Sequence, residues 1–486
     1  MAAAASLNLI IAIIICCIGR GTRAQSAAAP CASTLAPKNA APSVAPGWSA
    51  QVVASGLQKP RGMVFDTRGH LLVVQQGVGI ARVRLSAEKG ACVRAEGEVA
   101  DVVADERLNH GVELAADGRT LYASSAGAVY AWDYDADEGR NSSGPREVVN
   151  GMGDPEDGHV TRTLLMSRRV EGMLLVSRGS MANLDPAAQD ISTGVSTIKA
   201  FNVSNVTDSP YRYTEDGVLL GWGLRNSVGI AEEPVTGGIY SVENSVDNFE
   251  REGVNIHQNN PGEEMNFHGY LNGTETAEQG GNYGYPSCYA AWDVGEIPQS
   301  ENVQVGTQFA IGDQNATVND TFCRDGHVAP RLTFAAHMAP LDMKFNGNGT
   351  AANRDSPIGY KLSVIPFDGA GSPTAASTSN TAALDIVSNA DLSRCPDSCF
   401  RPAGLAWDGQ GRLFMSSDTT GEIYVVVRED GGSANEAGPS SGLPSPPSST
   451  GAAPSGPSGA AVGKGEVVDV ARFAAVWAGI MALPLL

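Results

Sequence analysis

Short apolar runs separated by Asp/Gly turns recur along most of this chain. Residues 62–83 read GMVFDTRGHLLVVQQGVGIARV, residues 111–132 read GVELAADGRTLYASSAGAVYAW, and residues 403–426 read AGLAWDGQGRLFMSSDTTGEIYVV. Each copy begins on a small residue, passes through an apolar stretch to an Asp/Gly turn, returns as a second apolar stretch, and turns on glycine into a third. Such runs joined by Asp-Gly or Asp-x-x-Gly predict β-hairpins. Weaker copies cover residues 159–178, 228–244 and 337–367. Helical periodicity is scarce. Three or four short strands per unit, repeated about six times at roughly 65 residues, predict an all-β six-bladed β-propeller over residues 25–430. Each blade then hides its faces against its neighbours, and ring closure protects the edges. A β-sandwich or a solenoid is the competing arrangement.

The two ends follow other patterns. Residues 7–18 are an apolar run too short to span a bilayer, followed by Arg20, Arg23 and Ala24. This predicts a signal peptide, residues 1–24, and export. Residues 431–460 are almost all Gly, Ser, Pro and Ala, a composition that cannot bury enough apolar surface to order itself, and so predict a disordered stalk. Ser458, Gly459 and Ala460, a spacer, and an apolar tail over residues 473–486 match a GPI-attachment signal, residues 461–486. A tail that packs into the core is the alternative. Membrane association is expected only through that anchor.

Six cysteines remain beyond the leader. An even number in an exported chain points to disulfides, expected as Cys31–Cys92, Cys288–Cys323 and Cys395–Cys399, although other pairings are open. Seven Asn-x-Ser/Thr sequons, at Asn141, Asn202, Asn205, Asn272, Asn315, Asn319 and Asn348, agree with export and predict surface positions. The formal net charge of −20 argues against nucleic acid as a partner, because binding it needs a basic footprint.

Small-molecule chemistry in a propeller belongs at a mouth of the central channel, where loops from every blade meet. The densest polar stretch there reads GWGLRNSVGIAEEPVTGGIYSVENSVDNFEREGVNIHQNNPGEEMNFH from residue 221, followed by GGNYGYP at residues 280–286. An Arg-Asn pair opening a blade, an acidic Ser-Val-Glu-Asn turn, and the Gly-Gly-Asn-Tyr-Gly-Tyr-Pro segment resemble the soluble glucose/sorbosone dehydrogenases that use pyrroloquinoline quinone (PQQ). The fungal pyranose dehydrogenases are most similar, and the resemblance covers residues 47–428. It implies oxidation of a pyranose or aldose at C1, with hydride passing to PQQ and electrons then passing to a separate acceptor, a cytochrome or a quinone. It implies His159 as the catalytic base and Arg225 with Asn226 beside the quinone oxygens. Arg61 and Arg401 would serve as forks for cofactor carboxylates. It further implies Asn109, His110 and His337 as cofactor-facing residues and Trp222 against the cofactor plane. Ca2+ would be held by the backbone carbonyls of Ser245 and Val246, hard oxygen ligands that suit it. His257 and His268 fall in a Gly/Asn-rich stretch and are expected to be exposed.

Two departures stand out. Gly158 precedes His159 where the resembling family has an acidic residue, and Asp157 is one position further back. After residue 347, roughly fifteen to twenty residues carrying a further strand are missing against the blade repeat. The fifth blade is therefore expected to be incomplete, with an unpaired edge. Two other functions use the same scaffold. A metal-dependent lactonase or esterase needs side-chain carboxylates converging on the metal. A non-catalytic, GPI-linked glycan-binding protein would tolerate a degenerate blade.

Overall fold

The structure is a computed structural model that describes residues 31, 34–153, 158–205, 209–345, 359–430 and 473–479. The leader, the stalk, most of the apolar tail, Asp157 and Asn348 lie outside the described residues. Twenty-four of its strands form six four-stranded antiparallel blades, and the α-helix among the described residues is the short segment Asp320–Gly326.

Blade one runs outward through Pro60–Phe65, Leu71–Gln75, Gly79–Val83 and Ala100–Ala104. Blade two uses Leu108–Leu114, Thr120–Ser125, Val129–Asp135 and Arg146–Asn150. Blade three uses Leu164–Met166, Met173–Arg178, Thr197–Asn202 and Val218–Trp222, and blade four Ser227–Glu232, Gly238–Glu243, Glu263–Tyr270 and Leu332–Phe334. Blade six begins with Pro402–Trp407, Leu413–Ser417 and Glu422–Arg428. Its outer strand is Trp48–Ala54 from the other end of the chain, so the ring is closed by a strand that precedes blade one.

The core lies between blades, and period two explains why the strands read as continuous apolar runs. Successive side chains of a strand point to opposite faces. Leu71 and Val73 pack toward blade six with Phe414 and Val425, whereas Leu72 and Val74 pack toward blade two with Leu121, Ala123 and Trp132. Both faces of that strand are therefore buried. Truncating Leu72 to Ala would cost about 2–5 kcal/mol, because two packed sheets cannot collapse onto the void.

The six inner strands touch in a closed circle, and small residues make the contact possible. A Cβ on Gly62 would strike the carbonyl of His110, one on Gly111 that of Arg162, and one on Gly404 that of Arg61. Thr163 Oγ1 donates to the Val228 carbonyl. A Cβ on Gly229 would lie 2.8 Å from the backbone of Asp342 and Met343. Asp342 Oδ2 accepts from Leu405 N at 2.8 Å. These contacts join blades one to two, two to three, six to one, three to four, four to five and five to six.

Blade five differs from the expectation of a missing strand. Its order is Pro340–Phe345, Phe473–Gly479, Lys361–Phe367 and Leu384–Ser388, with Ser43–Val44 added at the outer edge. The second strand comes from the C-terminal tail, which a local reading of the blade cannot reveal. The three disulfides form as expected: Cys31–Cys92, Cys288–Cys323 and Cys395–Cys399. His268 does not match the expectation of exposure. It is fully buried in strand Glu263–Tyr270, 2.8 Å from Ser241 Oγ, and His257, expected to be exposed as well, is half-buried.

Candidate functional site

Polar side chains gather where the chain enters the inner strands, in two groups. The first contains His159 and Arg225. Gly179 lies between them: a Cβ there would sit 2.7 Å from His159 Cβ, 2.8 Å from Asn226 Oδ1 and 3.2 Å from the Arg225 carbonyl. Only a residue without a side chain lets these three converge. His159 N donates to the Ser180 carbonyl at 2.9 Å, and Ser180 N donates to the Arg225 carbonyl at 2.8 Å.

The tautomer of His159 follows from its partners. Nδ1 lies 3.0 Å from the Ser180 carbonyl and 2.9 Å from Ser180 Oγ. A carbonyl only accepts, and Ser180 Oγ already donates to the Ala182 carbonyl at 2.7 Å. Nδ1 therefore carries the proton, and Nε2 keeps its lone pair. Burial, and then the Arg225 guanidinium, push the His159 pKa down to about 4. The ring is neutral at neutral pH and able to accept a proton at Nε2. Gly158 has φ +71°, and a Cβ there would run into the Met181 backbone, so the acidic residue that precedes the base in the resembling family has no room here.

Arg225 is fixed from every side. Its Nε donates to the Asn183 carbonyl at 3.1 Å, Nη1 to the Asn244 carbonyl at 3.2 Å, and Nη2 to Asn183 Oδ1 at 2.8 Å and Asp247 Oδ2 at 3.3 Å. Asp247 also faces His337, with Oδ1 3.4 Å from Nδ1. His337 Nε2 lies 2.6 Å from the His257 carbonyl, so both ring nitrogens meet acceptors and the bond to Asp247 raises its pKa. Asn226 lies beside this group, its carbonyl accepting from Asn244 N at 3.0 Å.

The second group is built on Asp418. Its carboxylate takes Arg401 Nε at 2.6 Å and Nη2 at 2.8 Å, and Arg61 Nη1 at 2.6 Å. Burial pushes this carboxyl up, but the Arg401 and Arg61 guanidiniums outweigh it and hold it below its ordinary range. Arg61 Nε donates to His110 Nδ1 at 3.3 Å, and burial with Arg61 nearby keeps that imidazole neutral. Asn109 Nδ2 donates to the Val160 carbonyl at 2.9 Å, which connects this group to the residue after His159.

Beside the first group lie three buried glutamates, each of which accepts from at least one backbone N–H. Glu243 accepts from Arg225 N at 2.6 Å. Glu263 accepts from Ser245 N at 2.6 Å and from Ala339 N at 3.2 Å. Glu264 accepts from Ala290 N at 3.1 Å and Gln308 Nε2 at 3.2 Å. Glu243 and Glu264 are directly paired across two strands, where two full negative charges oppose each other. Burial raises all three, Glu263 and Glu264 to about 7.

The structure thus brings His159, Arg225, Asn226 and His337 together, and Arg61, His110 and Arg401 together, with Asn109 between. Trp222 stands apart at the end of the outer strand of blade three, in register with Thr197 and Asn282. Asp247, Asp418, Asn183, Ser180, Glu243 and Glu263 were not singled out from the sequence. In sequence Asp247 and Asp418 look like turn residues, and only their spatial position between cations distinguishes them.

The donor set suits PQQ and a hard cation. Arg61 and Arg401 share one carboxylate, so that group keeps a surplus positive charge for an anion with three carboxylates. Among the described residues no N–H or O–H donates to the carbonyls of Ser245 or Val246. No cluster of three or more His, Cys, Asp or Glu is arranged for a metal among those residues either, so a cation here would take carbonyl oxygens.

Residues 42–429 match the family described as TrAA12-like. The chain belongs to this family. It is 48% identical over 391 residues to a PQQ-dependent sugar dehydrogenase of Hypocrea jecorina, covering 79% of this chain and 89% of that protein. It is 35% identical over 412 residues to a PQQ-dependent pyranose dehydrogenase of Coprinopsis cinerea, covering 80% of this chain but 55% of that one. Two solved structures superpose well. A calcium structure of the Trichoderma reesei AA12 enzyme gives a TM-score of 0.78 at 46% identity, over 82% of this chain and 100% of that one. The holo PQQ domain of the Coprinopsis cinerea pyranose dehydrogenase gives 0.74 at 34% identity, over 82% and 99%.

Proposed function

We propose that this TrAA12-like chain is an exported PQQ- and Ca2+-dependent dehydrogenase that oxidises a pyranose or aldose at C1. The observation that carries the reading is the juxtaposition of a neutral His159, its Nε2 free to accept, with a fully oriented Arg225 across Gly179. The names of the two curated relatives support the cofactor and the substrate class.

Arg61 and Arg401 would hold cofactor carboxylates, and the Ser245 and Val246 carbonyls would hold Ca2+. When bound, the quinone serves as the two-electron oxidant that accepts hydride from the sugar C1. His159 Nε2 takes the C1 hydroxyl proton, and the Ser180 carbonyl supports the resulting imidazolium through Nδ1–H. Arg225 is oriented before substrate arrives, so its charge stabilises a developing anion without reorganising. Asp247 fixes Arg225 and His337 relative to each other. The electrons leave to a separate acceptor, a cytochrome or a quinone.

The test is to add PQQ and Ca2+ to purified apoprotein and follow dye reduction with a panel of sugars. His159→Ala should abolish turnover and retain PQQ, whereas Arg401→Ala should weaken PQQ binding. If the wild type neither binds PQQ nor reduces dye with any sugar, the reading fails. The leader supports export of the protein. The small triplet at residues 458–460 with the apolar tail behind it supports surface attachment through GPI as one fate of the C-terminus.

A further inference from the structure

Blade five is assembled from distant parts of the chain. Phe473–Gly479 lies between Pro340–Phe345 and Lys361–Phe367 and runs antiparallel to both. All seven of its residues are in register with the outer neighbour, from Lys361 opposite Gly479 to Phe367 opposite Phe473. On the inner side Lys344 stands opposite Val476 and Phe345 opposite Ala475. In blades one and six the second strand follows the first after a turn, at residues 66–70 and 408–412. In blade five the corresponding sequence, NGNGTAANRDSPIGY at residues 346–360, lacks the apolar alternation of a strand.

We propose that residues 473–479 are a permanent strand of the folded domain, the second strand of blade five, donated by the same chain. Without it the facing edges of Pro340–Phe345 and Lys361–Phe367 both lose their partners, leaving backbone groups of an interior strand pair unsatisfied. The connection is long enough: residues 431–472 lie between Asp430 and Phe473, and at about 3.3–3.6 Å per extended residue the reach of that length of chain far exceeds the width of a blade. Lipid transfer at residues 458–460 would release residues 473–479. Anchoring and a closed fifth blade are therefore exclusive fates within one molecule, and the domain's own integrity favours the retained tail. This inference is independent of the dehydrogenase reading, since it concerns the backbone of a blade and not the chemistry at the mouth.

The secreted full-length chain carrying Lys361→Cys and Gly479→Cys is analysed by non-reducing peptide mapping. A cross-link between these positions within a monomer is the expected result. A cross-link found only between two chains would overturn donation by the same chain, and no cross-link at all would overturn the pairing. In parallel, a chain ending at Asp430 should unfold about 10 °C or more below the full-length protein and recover on adding a peptide of residues 470–482. Equal melting temperatures without peptide binding would refute the proposal. If the truncated chain fails to fold, the cross-link decides alone. A surface protein released by phospholipase that lacks residues 473–486 and melts at the temperature of the full-length chain would also refute it.

Discussion

Lowering the pH from 6.5 toward 4 is expected to leave His159 neutral in the folded protein while the same residue protonates in the unfolded chain. Burial and the Arg225 guanidinium hold its pKa at about 4, against an ordinary value near 6.5. The sign follows directly. Between these two values the unfolded state binds the extra proton, so stability falls as pH falls and levels off once the folded state also protonates. About 2.5 pK units at 1.36 kcal/mol each set an upper bound of roughly 3 kcal/mol, reduced by whatever solvent reaches the ring. His110 and His268 are buried and pushed in the same direction, so the whole-protein loss is larger than this share. Comparing the pH dependence of unfolding for wild type and His159→Gln isolates the His159 contribution. Histidine NMR of the apoprotein gives the titration itself. At pH 5 about nine-tenths of the folded molecules should carry a neutral His159, against about 3% for an unperturbed imidazole. Arg225→Gln should move the titration upward, as should an anionic ligand bound beside the ring. A His159 resonance titrating near 6.5 in the intact apoprotein would refute the burial and the Arg225 contact together.

Other outcomes follow from the same geometry. Gly179→Ala should lower turnover at least tenfold while costing about 1–3 kcal/mol in stability, because the new methyl meets His159, Asn226 and the Arg225 carbonyl; unchanged activity would show that the three do not converge. Asp418→Asn removes the carboxylate between Arg61 and Arg401 and should cost about 3 kcal/mol in chemical denaturation, since it leaves two guanidiniums facing each other. Glu263→Gln turns an amide N–H toward Ser245 N or Ala339 N and should cost about 1–3 kcal/mol, read as a lower melting temperature.

The propeller was legible because its strands are apolar on both faces. Leu71 to Val74 alternate between two interblade cores, so the pattern survives in sequence as an uninterrupted run between Asp/Gly turns. Strand Glu263–Tyr270 was not legible for the opposite reason. Glu263, Glu264, Asn266 and His268 are buried by pairing with backbone and side chains, and a polar strand carries no hydrophobic signature. This is why His268 was expected at the surface. The candidate site divides in the same way. His159, Arg225 and Arg401 were found because they open blades within recognisable motifs. Asp247 and Asp418 were missed because what singles them out is the cations brought to them, Arg225 and His337 in one case and Arg61 and Arg401 in the other, and Arg61 lies at the far end of the sequence from Asp418 although the closed ring puts them in contact. The fifth blade marks the limit of local reading altogether. Nothing in residues 340–367 specifies a partner beyond residue 470, because strand pairing is settled by which edge is left open once the rest of the ring has closed. Sequence periodicity can therefore count blades, but a strand supplied from far along the chain shows itself only as an absence in one place and an unexplained apolar segment in another.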